Sequence, residues 1–259
     1  MTSFLERVTA ARLADAEARA AGGALDRARE AATSAPPPRD FARALSGDGL
    51  ALIAEIKRAS PSAGDINAGA DVPAQARAYE QGGASAISVL TEPEHFKGSL
   101  DDLAAVHGTV SLPVLRKDFI AHPLQVWDAR AAGADAILLI VAALSQRDLV
   151  ALADLAETLG MSALVETHDA DEVARAVDAG ARVIGINTRN LATLDVDPAT
   201  VGKLRSLVPD GITVVGESGV STRADVVAME SAGVDAVLVG ETLMRASDPA
   251  AKVRELLGG

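Results

Sequence analysis

The chain contains no cysteine, which excludes disulfides, thiolate metal sites and cysteine nucleophiles. Aromatic residues make up only 2% of it although 49% is hydrophobic, so the core has to be built from Ala, Val, Leu and Ile. Cations are in deficit: 24 Lys and Arg face 36 Asp and Glu, a net charge of −12. A field of that sign argues against nucleic acid or an anionic membrane surface as a partner. Any anionic ligand must then be held by local cations and backbone N–H groups. No apolar run approaches the roughly 18 residues of a membrane span. The opening MTSFLERVTAARLADAEARA carries charges throughout and has no signal-peptide apolar core. The expectation is a cytoplasmic protein acting on a small molecule, as a monomer or, alternatively, a dimer. With 259 residues, it can bury a large core.

Residues 1–49 differ from the rest. Residues 1–33 are rich in Ala, Arg and Glu, with Leu5, Val8, Leu13 and Leu25 spaced among charges. That reads as helix, interrupted at Gly22-Gly23. Pro36-Pro37-Pro38 then forces an extended segment, because three fixed φ angles and three missing donors forbid a helix. The segment reads as an arm packing on the remainder of the chain. From residue 50 to 259, short apolar runs alternate with helical patterns: LIAEIKR, AISVLTE, PVLRKDF, AILLIVA, SALVETH, RVIGINT, ITVVGES and AVLVGET. Strand–helix alternation predicts a parallel sheet with helical crossovers. Gly83, Gly133, Gly180 and Gly233 each end a helix just before a strand, about 50 residues apart, so the repeat is a pair of βα units. Four pairs make eight strands and predict a closed (β/α)8 barrel. An open doubly wound sheet is the alternative, but no G-x-G-x-x-G follows the first strand.

Barrel chemistry belongs at the C-terminal ends of the strands, and the polar residues concentrate there. Glu55 and Lys57 end the first run; Lys117, Glu166, Asn187 and Glu217 end the third, fifth, sixth and seventh. Burying one such group is commonly structural; six converging on one mouth define a site, since their desolvation is costly unless they pair or bind something. GESGV and VGETLM follow the last two strands, where glycine lets backbone N–H groups approach a phosphate. The four histidines, His95, His107, His122 and His168, show no metal-ligand spacing. His168 lies two beyond Glu166, which allows it to face the mouth, but it reads first as a structural or surface residue.

Taken together, IAEIKRASPSAGDI, SVLTEPEHFKGSLDDL, PVLRKDFI, ALVETH, IGINTRNL, VGESGV and VLVGETLM resemble the indole-3-glycerol phosphate synthase family of tryptophan biosynthesis. The match runs in order over residues 50–245. It implies a (β/α)8 barrel with an N-terminal helical extension. The implied reaction turns 1-(2-carboxyphenylamino)-1-deoxyribulose 5-phosphate into indole-3-glycerol phosphate, CO2 and water, without a metal or organic cofactor. By this resemblance Lys117 is the general acid and Glu166 the base and proton shuttle. Lys57 is a second cation, and Glu55 orders the lysine and the ring nitrogen. Asn187 and Arg189 are implied ligands of the carboxylate and sugar; Phe96, Phe119, Leu138 and Leu191 are apolar walls; Ser218, Gly219 and Gly240 grip the phosphate. Ser60, Glu217 and Glu241 complete the expected binding set. A lysine among other cations is expected to have a lowered pKa.

Two positions depart from the family pattern. Ala63 stands where many relatives carry Lys. Glu241 stands where some have Ser, and is expected to bind through its N–H with the carboxylate turned away. Phosphoribosylanthranilate isomerase is the nearest rival, but that family is shorter, lacks the arm and typically uses a cysteine base. A catalytically silent barrel is the rival of a different kind; it would have been signalled by loss of Lys117 or Glu166.

Overall fold

The structure is a computed structural model that describes residues 2–47, 49–189 and 199–259. Each of the eight apolar runs holds one strand: β1 (Ala51–Ile56), β2 (Ala86–Leu90), β3 (Val114–Lys117), β4 (Ala136–Ile140), β5 (Ser162–Thr167), β6 (Val183–Asn187), β7 (Thr213–Glu217) and β8 (Ala236–Val239). They form one closed parallel barrel in chain order, with β8 pairing back onto β1. The four repeat glycines take the left-handed conformation, with φ of 95°, 89°, 75° and 83°, which turns the chain from helix to strand at no Cβ cost.

Register decides what faces inward. Glu55 lies opposite Ser88, Leu90 opposite Lys117, Ile140 opposite Glu166 and Asn187 opposite Glu217. The stagger stacks inward side chains in layers drawn from alternate strands. Ile53, Leu115, Leu164 and Val215, from β1, β3, β5 and β7, belong to the aliphatic filling of the barrel. Two residues further along the same four strands, hence on the same face, come Glu55, Lys117, Glu166 and Glu217. The layer that closes the core from above is therefore charged.

Residues 2–47 run along the barrel from mouth to floor. Helix α1 (Phe4–Ala21) starts with a capping box, Ser3 Oγ accepting from the Glu6 N–H at 3.1 Å and Glu6 accepting from the Ser3 N–H at 2.6 Å. It lies beside the mouth, where Arg12 pairs with Asp118. Gly22-Gly23 breaks the helix, and α2 (Ala24–Ser34) packs along the helix Pro123–Ala131. The proline segment is held by Arg130, which donates to the carbonyls of Ala35 and Pro36. At the floor, Arg39 donates to the carbonyls of Leu112 and His107. A one-turn helix, α3 (Phe41–Ala44), then sends Phe41 into the barrel filling, with Leu45 beside it. No described helix is long and apolar enough to cross a membrane.

Candidate active site

One cavity of about 550 Å³ opens at the C-terminal ends of the strands. It is lined by Glu55, Lys57, Ser60, Phe96, Lys117, Phe119, Leu138, Glu166, Asn187, Arg189, Glu217, Ser218, Gly219, Gly240 and Glu241. Every expected site residue is thus brought to one place except Leu191, which lies outside the described residues.

Lys117 is the centre. Its Nζ donates to Glu217 Oε2 at 2.6 Å and lies 3.5 Å from Glu166 Oε2 and 4.0 Å from Glu55 Oε2. Lys57 pairs with the other oxygen of Glu55 at 2.8 Å. All three carboxylates are buried. The expected lowering of the Lys117 pKa is therefore overturned. Burial alone would lower it, but Glu217, Glu166 and Glu55 outweigh burial and raise it, because the neighbours facing its ammonium are anions and not cations.

The carboxylates do not behave alike. Burial would raise Glu166, but Lys117 chiefly, with His168 and Asn187, brings it well below the usual range. Glu55 is likewise lowered: burial opposes ionisation, and Lys57 and Lys117 overcome it. Burial lifts Glu217 to about 7, with the charge of Glu166 adding to the effect and Lys117 opposing it. Burial comes first among the causes, so Glu217 is the carboxyl of the three that holds a proton most readily near neutrality.

Two glycines make this packing possible. A Cβ at Gly185 would collide with Glu217 Oε1, and one at Gly240 would collide with Glu55 Oε1 and come within 2.9 Å of Lys57 Nζ. Asn187 joins the strand ends: its Nδ2 donates to Glu166 Oε1 at 3.2 Å, and its Oδ1 accepts from Ser218 Oγ at 2.8 Å and the Arg189 N–H at 3.0 Å. Ser218 and Gly219 are both left-handed, with φ of 67° and 79°. For serine that conformation costs about 1 kcal/mol or more. Glu241 starts a one-turn helix, and its carboxylate accepts from Nε of Arg245, another residue of the cavity lining, at 3.0 Å.

Several residues around the cavity were not foreseen. Phe4 and Leu5 of α1 complete the wall. Phe4 meets Phe119 edge-on at 6.3 Å, and Phe119 meets Phe96 at 6.2 Å. The available signal was scarcity, because three of the chain's four phenylalanines converge here. His168, read from sequence as structural or surface, has Nε2 3.3 Å from Glu166 Oε1. Among the described residues, Glu92, Glu94 and His95 bring three ligand atoms within 4.8 Å. Glu92, however, already accepts the N–H groups of Glu94, His95 and Phe96 and so acts as a loop staple.

A closed barrel whose mouth gathers a lysine among carboxylates, beside glycine-rich loops and an apolar wall, has the architecture of a (β/α)8 enzyme. The family model for indole-3-glycerol phosphate synthase matches residues 5–256. The indole-3-glycerol phosphate synthase of Mycobacterium avium (strain 104) is 51% identical over 257 residues, covering 99% of this chain and 93% of that protein. That of Streptomyces griseus subsp. griseus is 50% identical over 255 residues, covering 98% and 95%. Among solved structures, a thiamine phosphate pyrophosphorylase from Pyrococcus furiosus superposes with a TM-score of 0.63 at 17% identity, over 84% of this chain and 96% of that one; this likeness concerns the fold alone. The chain belongs to the indole-3-glycerol phosphate synthase family.

Proposed function

We propose that the protein closes the indole ring of 1-(2-carboxyphenylamino)-1-deoxyribulose 5-phosphate, releasing CO2 and water to give indole-3-glycerol phosphate. The observation that carries this reading is Lys117, its ammonium set among Glu217, Glu166 and Glu55, with the aromatic wall of Phe96 and Phe119 beside it. In the first step the ring carbon bearing the carboxylate bonds to the ribulose carbonyl carbon, and the carbonyl electrons move to oxygen. Lys117 stabilises that oxyanion as it forms and gives it a proton. The raised pKa keeps the ammonium charged while the oxyanion forms, and the alkoxide that results is basic enough to take a proton even from so weak an acid. Loss of CO2 returns an electron pair to the ring. The new hydroxyl then leaves as water on protonation, while a proton from the adjacent methylene passes to a base.

Glu166 is the base in this scheme, and Glu217, poised near neutrality, can return a proton to the cycle. Lys57, ordered by Glu55, supplies the second cation near the phosphate and carbonyl. Ser218, Gly219 and Gly240 hold the phosphate with Ser60 nearby, and Glu241 contributes its N–H. Asn187 and Arg189 hold the carboxylate. Phe96, Phe119 and Leu138, with Phe4 and Leu5 from the arm, keep the flexible substrate folded for attack, an orientation effect. Residues 1–49 are in this sense an arm that completes a catalytic barrel formed by residues 50–259. The test is Glu166→Gln assayed for product formation and for product binding. Turnover should fall about a hundredfold or more, with binding changed far less; unchanged turnover removes Glu166 from the scheme.

A further inference from the structure

The loop after β5 carries a histidine that this scheme does not use. His168 Nδ1 lies 3.0 Å from Glu172 Oε2, and the same oxygen accepts the His168 backbone N–H at 2.7 Å. Glu172 sits in the first turn of the helix Ala170–Asp178, where its own N–H is capped by Asp169. On the other side of the ring, Nε2 is buried and lies 3.3 Å from Glu166 Oε1, off the line of a hydrogen bond, so the contact is ionic. The imidazole is therefore clamped between two carboxylates on different elements.

Both ring nitrogens face carboxylate oxygens. A neutral ring has one N–H and one lone pair, so it would turn a lone pair toward one of the anions. Only the imidazolium satisfies both. The charged groups facing the ring are Glu166 on β5 and Glu172 on the following helix; Lys117 on β3 stands behind Glu166. Burial alone would lower the His168 pKa, but Glu166 and Glu172 outweigh it and lift it to about 10.

We infer that His168 is a positioning residue for Glu166: held by Glu172, its imidazolium anchors Glu166 Oε1 and leaves Oε2 aimed at Lys117 and the substrate. Asn187 Nδ2 donates to the same Oε1 at 3.2 Å, so one hydrogen bond and one ionic contact fix one oxygen and the other stays available. The inference rests on the reading of Glu166 as the base.

Its test is His168→Gln and Glu172→Gln, each alone and in the Glu166→Gln background, with kcat and KM measured separately. Imidazole 15N NMR of the unaltered protein supplies an independent readout. The expected kcat loss in His168→Gln is about tenfold to a hundredfold, part of what a general base contributes, with KM changed about threefold at most. Glu172→Gln should lose less, in the same direction. In the Glu166→Gln background, His168→Gln should cost nothing further. The wild-type ring should carry both protons at pH 8. A neutral ring at pH 8, or kcat within about twofold of wild type in His168→Gln, overturns the inference. Loss of turnover in Glu166→Gln together with normal turnover in His168→Gln sinks the His168 assignment alone. Normal turnover in Glu166→Gln sinks the base assignment, and this inference with it. Should His168→Gln not fold, Glu172→Gln and the NMR signal decide.

Discussion

Arg12→Ala is the perturbation that best isolates the arm from the chemistry. Asp118, next to Lys117, has no exposed side-chain surface and collects five donors. Arg12 gives two, Nε at 3.0 Å and Nη2 at 2.8 Å; Arg116 Nη2 gives one at 2.8 Å, Thr91 Oγ1 one at 2.7 Å and the Phe119 N–H one at 2.8 Å. Removing a sole partner from a buried ion costs about 3–5 kcal/mol. Here Arg116 remains, so the loss is two charge-assisted hydrogen bonds less the side-chain entropy regained, about 2–3 kcal/mol. For a chain of this size that lowers Tm by about 5–10 °C.

The pH dependence comes from Asp118. Burial would raise its pKa, but Arg116 and Arg12 bring it down to about 2. A carboxyl so depressed stabilises fully above its unfolded value, about 4, and loses that contribution as pH falls through about 2. The gap between wild type and Arg12→Ala should therefore be complete at pH 7 and close on acidification. Urea titrations at pH 7 and pH 2 measure it. With the latch gone, Phe4 and Leu5 are released from the cavity wall, so KM should rise. A stability loss under about 0.5 kcal/mol, or a gap as large at pH 2 as at pH 7, would show that Arg12 does not latch the arm through Asp118.

Three further perturbations probe the site. Gly240→Ala places a methyl against Glu55 and Lys57 and should cut kcat/KM at least about tenfold with little change in Tm; unchanged kinetics would show that the pair does not need this slot. Glu217, lifted to about 7, should give the wild-type pH–turnover profile an inflection near that pH, protonated below it and ionised above. Glu217→Gln should erase the inflection, and its persistence there would assign it to another group. Arg189→Ala should raise KM strongly with a smaller effect on kcat, as a substrate-carboxylate ligand would, and a selective fall in kcat would contradict that role.

Much of this was legible in the sequence for physical reasons. Period-two placement puts Ile53 and Glu55, or Leu115 and Lys117, on one face of a strand, so a polar residue ending an apolar run announces a charged top layer. Repeat glycines marked the helix ends because left-handed φ favours that residue. What sequence could not give was register. The set of charges around Lys117 depends on which strands are level across the barrel, and without it the lysine was expected among cations. Gly185 is another case, since its role is to leave room for a side chain 32 positions away, on the neighbouring strand. The arm's contribution was hidden similarly: Phe4 reaches the mouth on a helix whose Arg12 docks on Asp118, a contact between residues 106 apart. The contacts of His168 were not legible because its two carboxylate partners lie on either side of a loop whose path the strand pattern does not define.

The decisive experiment for Lys117 as the acid of an indole-forming reaction is product formation by wild type and Lys117→Ala. Purified, metal-stripped protein is mixed with 1-(2-carboxyphenylamino)-1-deoxyribulose 5-phosphate, and indole appearance is followed by ultraviolet absorbance and fluorescence. The wild type should form product without added cofactor, and Lys117→Ala should form none while still binding product. Substrate bound tightly by the wild type without turnover, or normal turnover in the variant, would contradict this assignment.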